Sequence, residues 1–248
     1  RREIEQIKIS CRLVGESLKY MESLVKPGVT TRKLDRELET FIRDHGARPA
    51  FKGIRASAPT PFPASGCFSI DEVVVHGIPS RRELLEGEIL GIDVGVEIDG
   101  FYGDAARTFP VGEVNFDKMR LVDTAKDAFF KGIEAAKPGK HLGDISYRIQ
   151  KLVEGRGYSI VRELVGHGIG RELHEEPQVP NYGKPGTGPK LREGMVIAIE
   201  PMINEGVYEI EILKDGWTVV TADGKPSAHY ENTIAVTSGE PEILTLVD

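Results

Sequence analysis

The sequence predicts an internally duplicated fold of helices and strands, and three observations predict it: an order of helices then strands that runs twice, short sequence matches between the two runs, and an acid at the same strand position in each. From Glu3 to Leu24, the residues Ile4, Ile7, Ile9, Leu13, Val14, Leu18 and Met21 recur at intervals near about 3.6, an amphipathic helix that stops before Lys26-Pro27-Gly28. A second helix starts near Thr31. Residues 51–66 contain Pro59, Pro61, Pro63 and two glycines, and read as a loop that covers or lines something. Short strands follow at Phe68 to Ile70 and Val73 to Val75. Helical patterns return from about Asp117 to Ala136 and from Ile145 to Glu154, and strands dominate again after Met195.

The doubling is visible in the residues. Lys26-Pro27-Gly28 recurs 111 residues later as Lys137-Pro138-Gly139, and Asp35 has a counterpart in Asp144, two residues out of step. The segment from Glu86 to Asp93 aligns with that from Glu193 to Glu200 at an offset of 107, which puts Asp93 opposite Glu200. His76-Gly77-Ile78 matches His167-Gly168-Ile169 at an offset of 91, which requires a gap. Three matches in the same order imply pseudo-twofold symmetry, which would bring the paired acids and histidines to one centre.

Composition narrows the function. The chain has 248 residues, 40% of them hydrophobic, which suits one sizeable core or two tightly fused halves, a single α/β domain being the first reading. Its 39 acidic and 32 basic residues leave a net charge of −7, so no basic field exists to hold nucleic acid or an anionic membrane, and any ribosome contact must be local and transient. The two cysteines, Cys11 and Cys67, are too few for a disulfide framework and suit a reducing compartment, so the cytoplasm is the expected location. No run reaches the roughly 18 to 20 apolar residues of a membrane helix, and the opening RREIEQIKIS has no signal-peptide core. The chain begins at Arg1 rather than methionine, so preceding residues are expected.

The stretch from Gly91 to Phe109 reads as a hairpin, because Asp99-Gly100 suits the two central positions of a type I′ turn. If Ile98 pairs with Phe101, then Asp104 faces Gly95 and Asp93 faces Ala106. Side chains alternate, so Asp93 and Asp104 project from the same face as diagonal neighbours, with Ile92, Val94 and Phe101 on the other. The small partners Gly95 and Ala106 leave room there for something other than side chains. Two acids so placed repel, and need a shared proton or a cation.

Further donors sit in strand-like contexts. His167 lies between glycines, which deny it a packed setting and let a metal or substrate approach. Glu200 ends an apolar strand before Pro201, and Glu231 lies in a β-rich run. Carboxylates with imidazole suit manganese, iron, cobalt or zinc in a hydrolytic site. Other motifs fail. His174-Glu175-Glu176-Pro177 is no zinc-protease helix, since Gln178 follows where a second histidine is needed and Pro177 would break the helix. Gly183 to Lys190 has phosphate-loop glycines but Pro189 at the lysine position, and Cys67 lacks the neighbours that activate a thiol.

Asp93, Asp104, His167, Glu200 and Glu231, in this order and in these local sequences, resemble the metal ligands of type I methionine aminopeptidases. The likeness includes Val74-Val75-His76-Gly77-Ile78-Pro79, Gly166 to Pro177, Ile199-Glu200-Pro201-Met202 and Tyr230-Glu231-Asn232-Thr233, and runs from about Lys26 to Thr237. It implies the α+β pita-bread fold, an antiparallel sheet flanked by helices with approximate twofold symmetry, as one catalytic domain over residues 1–248 with halves of about 1–110 and 111–248. It implies removal of the initiator methionine from the N-termini of nascent polypeptides by hydroxide activated between two divalent metals (cobalt, manganese, iron or zinc), in a monomer.

By position, the resemblance makes Asp93 a ligand of one metal, His167 and Glu200 ligands mainly of the other, and Asp104 and Glu231 bridges. The resemblance also implies that Glu200 is the proton acceptor and donor, that His174 stabilises the oxyanion, and that His76 bonds the scissile amide or leaving nitrogen. The resemblance implies a methionine pocket of Cys67, Phe62, Leu173 and Trp217. The internal repeat maps Asp104 onto Glu211, whereas the motif points to Glu231, so an extra hairpin is expected at about Tyr208 to Val220, with Glu211 a structural or surface acid. The chain departs from the family in a longer stretch from Ile54 to Pro61, in Leu173 where an aromatic is common, and in Asp71 for a frequent asparagine. Two rivals are a prolidase or aminopeptidase P, which usually carries a further N-terminal domain and extra histidines, and a pita-bread binding protein that has lost catalysis. The complete ligand set argues against the latter.

Overall fold

A computed structural model describes residues 2–56 and 58–247. Helices α1 (Arg2–Leu24) and α2 (Thr31–Asp44) precede β1 (Arg48–Pro49), β2 (Cys67–Ile70), β3 (Val73–Val75), β4 (Ile89–Ile98) and β5 (Phe101–Pro110). Helices α3 (Phe116–Ile133) and α4 (Leu142–Gly155) then precede β6 (Ser159–Ile160), β7 (Gly166–Gly168), β8 (Glu175–Val179), β9 (Val196–Ile199), β10 (Met202–Asn204), β11 (Ile210–Ile212), β12 (Val219–Thr221), β13 (Ser227–His229), β14 (Asn232–Ala235) and β15 (Glu242–Ile243). Helices followed by strands, twice over, is the expected order. The described residues of 51–66 form no helix or strand, as expected of that loop, with Ser57 outside the described residues.

Caps explain where the helices begin. Thr30 Oγ1 accepts from the Lys33 amide at 3.2 Å, and Asn115 Oδ1 accepts from the Lys118 amide at 2.9 Å. Helix α4 starts three residues before the expected Ile145, because the Asp144 carboxylate accepts from the His141 amide at 2.8 Å and so fixes the first turn. Asp144 also accepts from Gly186 N, and Asp35 accepts from Ser65 N and Gly66 N. Each of these counterpart acids therefore ties its helix to a distant loop. Strand β7 carries His167 in the strand-like context expected for it, whereas β6 and β8 lie where no strand is expected, Pro177 masking the pattern of β8.

All strand pairs are antiparallel. The β4–β5 hairpin joins β1 and β2, while β15-β14-β9-β7-β8 is the longest sheet of the second run. Leu13, Val14 and Leu18 of α1 pack with Leu90, Ile92, Val94 and Val96 of β4. In the second run, Phe129 of α3 and Ile145 and Ile149 of α4 pack with Ile197, Ile199, Ile203 and Ile234. One face of each sheet is thus spent on helices. The other is left for a site. The expected hairpin near Tyr208 to Val220 is β11–β12, and β12 pairs with β3, so it reaches across to the first run.

Candidate metal centre and pocket

Asp99 and Gly100 turn the β4–β5 hairpin with φ of 52° and 81°, which fixes the register. Ile98 pairs with Phe101, Gly95 with Asp104 and Asp93 with Ala106, so both acids leave the same face, opposite Ile92 and Val94. The space over Gly95 is not open, however. A Cβ there would lie 2.5 Å from the Phe51 ring and 3.0 Å from Ala50, so the loop after β1 fills the room that the sequence assigns to a ligand.

The second run brings the remaining donors to these acids. His167 is the centre of β7, paired with Ala198 of β9, and its Nε2 is 3.6 Å from Glu200 Oε1 and 3.9 Å from Asp104 Oδ2. His167 is buried, and the glycines beside it serve backbone packing rather than ligand access: a Cβ at either would strike the carbonyl of Ala198 or Glu176 on a neighbouring strand. Glu200 follows β9, and Glu231 lies between β13 and β14. Pro177 is held in β8, the edge strand, where a missing amide costs no central ladder bond.

A brace joins the two runs at the acids themselves. The Glu231 amide donates to Ala106 O at 2.9 Å, and Thr233 Oγ1 accepts from the Asp104 amide at 3.2 Å and donates to Asp104 O at 2.8 Å. Arg107 donates to the carbonyls of Ala106 and Glu231 and to Asn232 Oδ1, with its guanidinium 4.2 Å from the Tyr230 ring centre. Ligand atoms of Asp104, His167 and Glu231 lie within 4.8 Å of one another.

Burial pushes Asp93 up to about 7, and burial with the mutual repulsion of the acids raises Asp104, Glu200 and Glu231 well above the carboxylate range. Burial likewise lowers His167 to about 4. Asp93 Oδ1, Asp104 Oδ1 and Glu231 Oε1 are buried without any hydrogen-bond partner. A cluster of acids with orphaned oxygens and a neutral imidazole fits divalent cations, whose charge would compensate what the protein leaves uncompensated.

The pocket residues gather beside this cluster. Phe62, Cys67, Leu173 and Trp217 form one buried group with Phe51 and Ile169. Phe62 meets Trp217 edge to face at 5.2 Å, and Trp217 Nε1 donates to Thr60 O at 2.8 Å, which ties the β11–β12 turn to the long loop. Cys67 pairs across the ladder with Asp93, so the group abuts the acids. Burial and the nearby carboxylates raise the Cys67 thiol well above its usual range, which makes it a wall rather than a nucleophile.

His174 is exposed, with its ring 4.5 Å from that of His167, and both face a cavity of about 630 Å³ that His76 and Glu200 also line. His76 holds φ 57°, an uncommon conformation for a non-glycine residue, and burial lowers it to about 4. Glu211 is exposed on β11, away from the described cluster. Sequence reasoning missed His229, which is 4% exposed with Nε2 4.0 Å from both Glu200 and Glu231. Its signal was the two-residue spacing before Glu231, the spacing at which strand side chains share a face. Arg107 and Thr233 gave no such signal, since their partners are far along the chain.

The model of Metallopeptidase family M24 matches residues 5–238. The chain belongs to this family. A methionine aminopeptidase of Clostridium perfringens is 52% identical over 245 residues, covering 99% of this chain and 96% of that protein. Methionine aminopeptidase 1 of Bacillus subtilis is 45% identical over 246 residues, covering 99% and 97%. The crystal structure of methionine aminopeptidase from Rickettsia prowazekii superposes with a TM-score of 0.95 at 45% identity, covering 99% of this chain and 97% of that one. The prolidase of Pyrococcus furiosus shares the fold, with a TM-score of 0.77 at 23% identity, but this chain spans 65% of its length. The M24 protein thus has the α+β pita-bread fold, and among the described residues no helix is long and apolar enough to cross a membrane.

Proposed function

We propose that the protein is a methionine aminopeptidase, hydrolysing the first peptide bond of new polypeptides to release the initiator methionine. One observation supports this most: a set of four acids and one histidine, of which Asp104, Glu231 and His167 are buried and Asp93 and Glu200 partly so, with orphaned oxygens, abuts an apolar pocket of Phe62, Cys67, Leu173 and Trp217. Identities of 45% to 52% over nearly the full chain support it independently.

Asp93, Asp104, His167, Glu200 and Glu231 would hold two divalent ions, of cobalt, manganese, iron or zinc. Such ions would supply Lewis acidity and lower the pKa of a water at the site. The protein supplies the rest. Glu200, held in the cluster and lining the cavity, accepts the proton of the attacking water and passes it to the leaving amine. His174, free to reach into the cavity, donates to the oxygen that gains charge as the carbonyl is attacked. His76 bonds the scissile amide nitrogen. The aromatic and thiol walls accept an unbranched thioether side chain. In this reading residues 1–248 are one catalytic domain of two related halves, about 1–110 and 111–248, acting as a cytoplasmic monomer with at most transient ribosome contact.

Metal-loaded protein should release methionine from Met-Gly-type peptides and leave Xaa-Pro peptides intact. Cleavage confined to the bond before proline would overturn the proposal.

A further inference from the structure

Among the described residues, His229 Nε2 and Asn232 Nδ2 are the two nitrogens beside the acid cluster that are buried with no hydrogen-bond partner, and the imidazole is the one that stands between two of the acids. Its Nε2 stands 4.0 Å from Glu200 Oε2 and 4.0 Å from Glu231 Oε2. That distance is about 1 Å beyond a hydrogen bond, yet it is the same to both acids. The ring is not loosely placed. The His229 amide donates to Thr108 Oγ1 at 3.0 Å, Thr108 Oγ1 donates to His229 O at 2.9 Å, and His229 pairs with Met202 in the β10–β13 ladder. Both backbone groups of the residue are therefore fixed, and His229 is not among the residues that line the cavity of His76 and His174.

We propose that His229 is a positioning residue, whose Nε2–H donates to the carboxylates of Glu200 and Glu231 and sets the angle at which they meet the cations and the water proton. The proposal rests on the cation-dependent reading of the site. A buried imidazole donor without an acceptor is a cost that native folds seldom carry, and these two carboxylates are the acidic oxygens recorded within 4.0 Å of Nε2. Carboxylates that bind metals are themselves hydrogen-bonded from behind, because the outer bond fixes their rotation and leaves the inner lone pairs for the ion. A small rotation of each acid, or one bridging water, closes the 4.0 Å gap. Arg107 cannot take this role, since its bonds go to two carbonyls and to Asn232 Oδ1.

The test uses full-length protein stripped with chelator and titrated with Co2+ by calorimetry, with Met-Gly-type peptide turnover and the Co2+ absorption spectrum measured beside it. His229→Leu keeps bulk but no donor, and should weaken Co2+ binding roughly ten- to a hundredfold and lower kcat with KM little changed. His229→Gln keeps a donor, and should restore both binding and kcat most of the way to wild type. Wild-type Co2+ affinity in His229→Leu would overturn the proposal, as would equal losses in Leu and Gln variants of unchanged thermal stability. If His229→Leu does not fold, His229→Asn replaces it, because its shorter amide falls short of both acids. Should wild type bind Co2+ yet release no methionine, the functional reading fails while the affinity series still decides the role of His229.

Discussion

The acid cluster and the apolar pocket share a border, since Cys67 pairs with Asp93, yet they are built by different means. Asp93, Asp104 and His167 lie within strands, Glu200 directly follows one, and Glu231 directly precedes one, so ladder register sets their positions. Phe62, Leu173 and Trp217 lie in loops, and reach one another only through tertiary contacts such as the Trp217–Thr60 bond. The difference teaches that a charge site needing tight geometry uses the stiffest backbone available, whereas a pocket for one flexible side chain tolerates a loop-built wall.

The sharpest way to break the comparison is at the cluster. Asp104 is 3% exposed, bonded through its backbone to Thr233, and within 4.8 Å reach of His167 and Glu231. Asp104→Ala should abolish metal-dependent turnover and lower metal affinity by more than the roughly hundredfold that outer-shell changes reach. Calorimetric titration and methionine release measure the two losses. Retained activity would mean that Asp104 does not bridge.

Removing metal should show that the cluster, unlike the pocket, is unstable by itself. Burial holds Asp93 up at about 7 and keeps Asp104, Glu200 and Glu231 above the carboxylate range. A raised carboxylate pKa means that the folded metal-free protein binds protons more tightly than the unfolded chain. The acids' contribution to stability is then fullest below about 4, the unfolded value, and is lost as pH rises through the folded ones, while the burial-lowered His76, His167 and His229 oppose it only as pH falls below about 6.5. Chelated protein should therefore melt lower at about pH 8 than at about pH 6, and added Mn2+ should restore more at the higher pH. Scanning calorimetry at both pH values checks this, and equal restoration would show that the acids are compensated without metal.

Much of this was legible in the chain for a physical reason. Asp99-Gly100 admits one turn type, the turn fixes the register, and alternation then puts Asp93 and Asp104 on one face without any knowledge of the rest. What was not legible depends on elements far apart in sequence. Gly95 reads as open space, but Phe51 fills it; the glycines beside His167 read as ligand access, but serve strands that pass within contact of their backbones. The Thr233 and Arg107 brace joins residues more than a hundred positions apart, and no local pattern announces it.

The pocket should respond less, and differently. Trp217 is 9% exposed and packs on Phe62. Trp217→Ala removes binding shared by ground and transition states, so KM should rise roughly ten- to a hundredfold with kcat changed little. Preference for methionine over smaller first residues should narrow by a similar factor. A fall in kcat with unchanged KM would mean that Trp217 acts on His76, whose ring centre lies 6.4 Å away, and that pocket and cluster are one unit.

The smallest effect belongs to the acid that symmetry alone would have chosen. The offset that carries Asp93 onto Glu200 carries Asp104 onto Glu211, but Glu211 is exposed on β11, in the hairpin that the second run adds before Glu231. Among the described strands β11 pairs with β12 alone and stands at the edge of its sheet, and the Glu211 side chain is exposed to water. Glu211→Ala should therefore leave thermal stability within about 0.5 kcal/mol of wild type, as exposed substitutions do, and leave metal affinity and kcat/KM unchanged. A tenfold loss of metal affinity would put the bridging acid on the added hairpin. Because Val219 of β12 pairs with Val75, the residue before His76, a fall in kcat alone would instead place the hairpin's influence on that histidine.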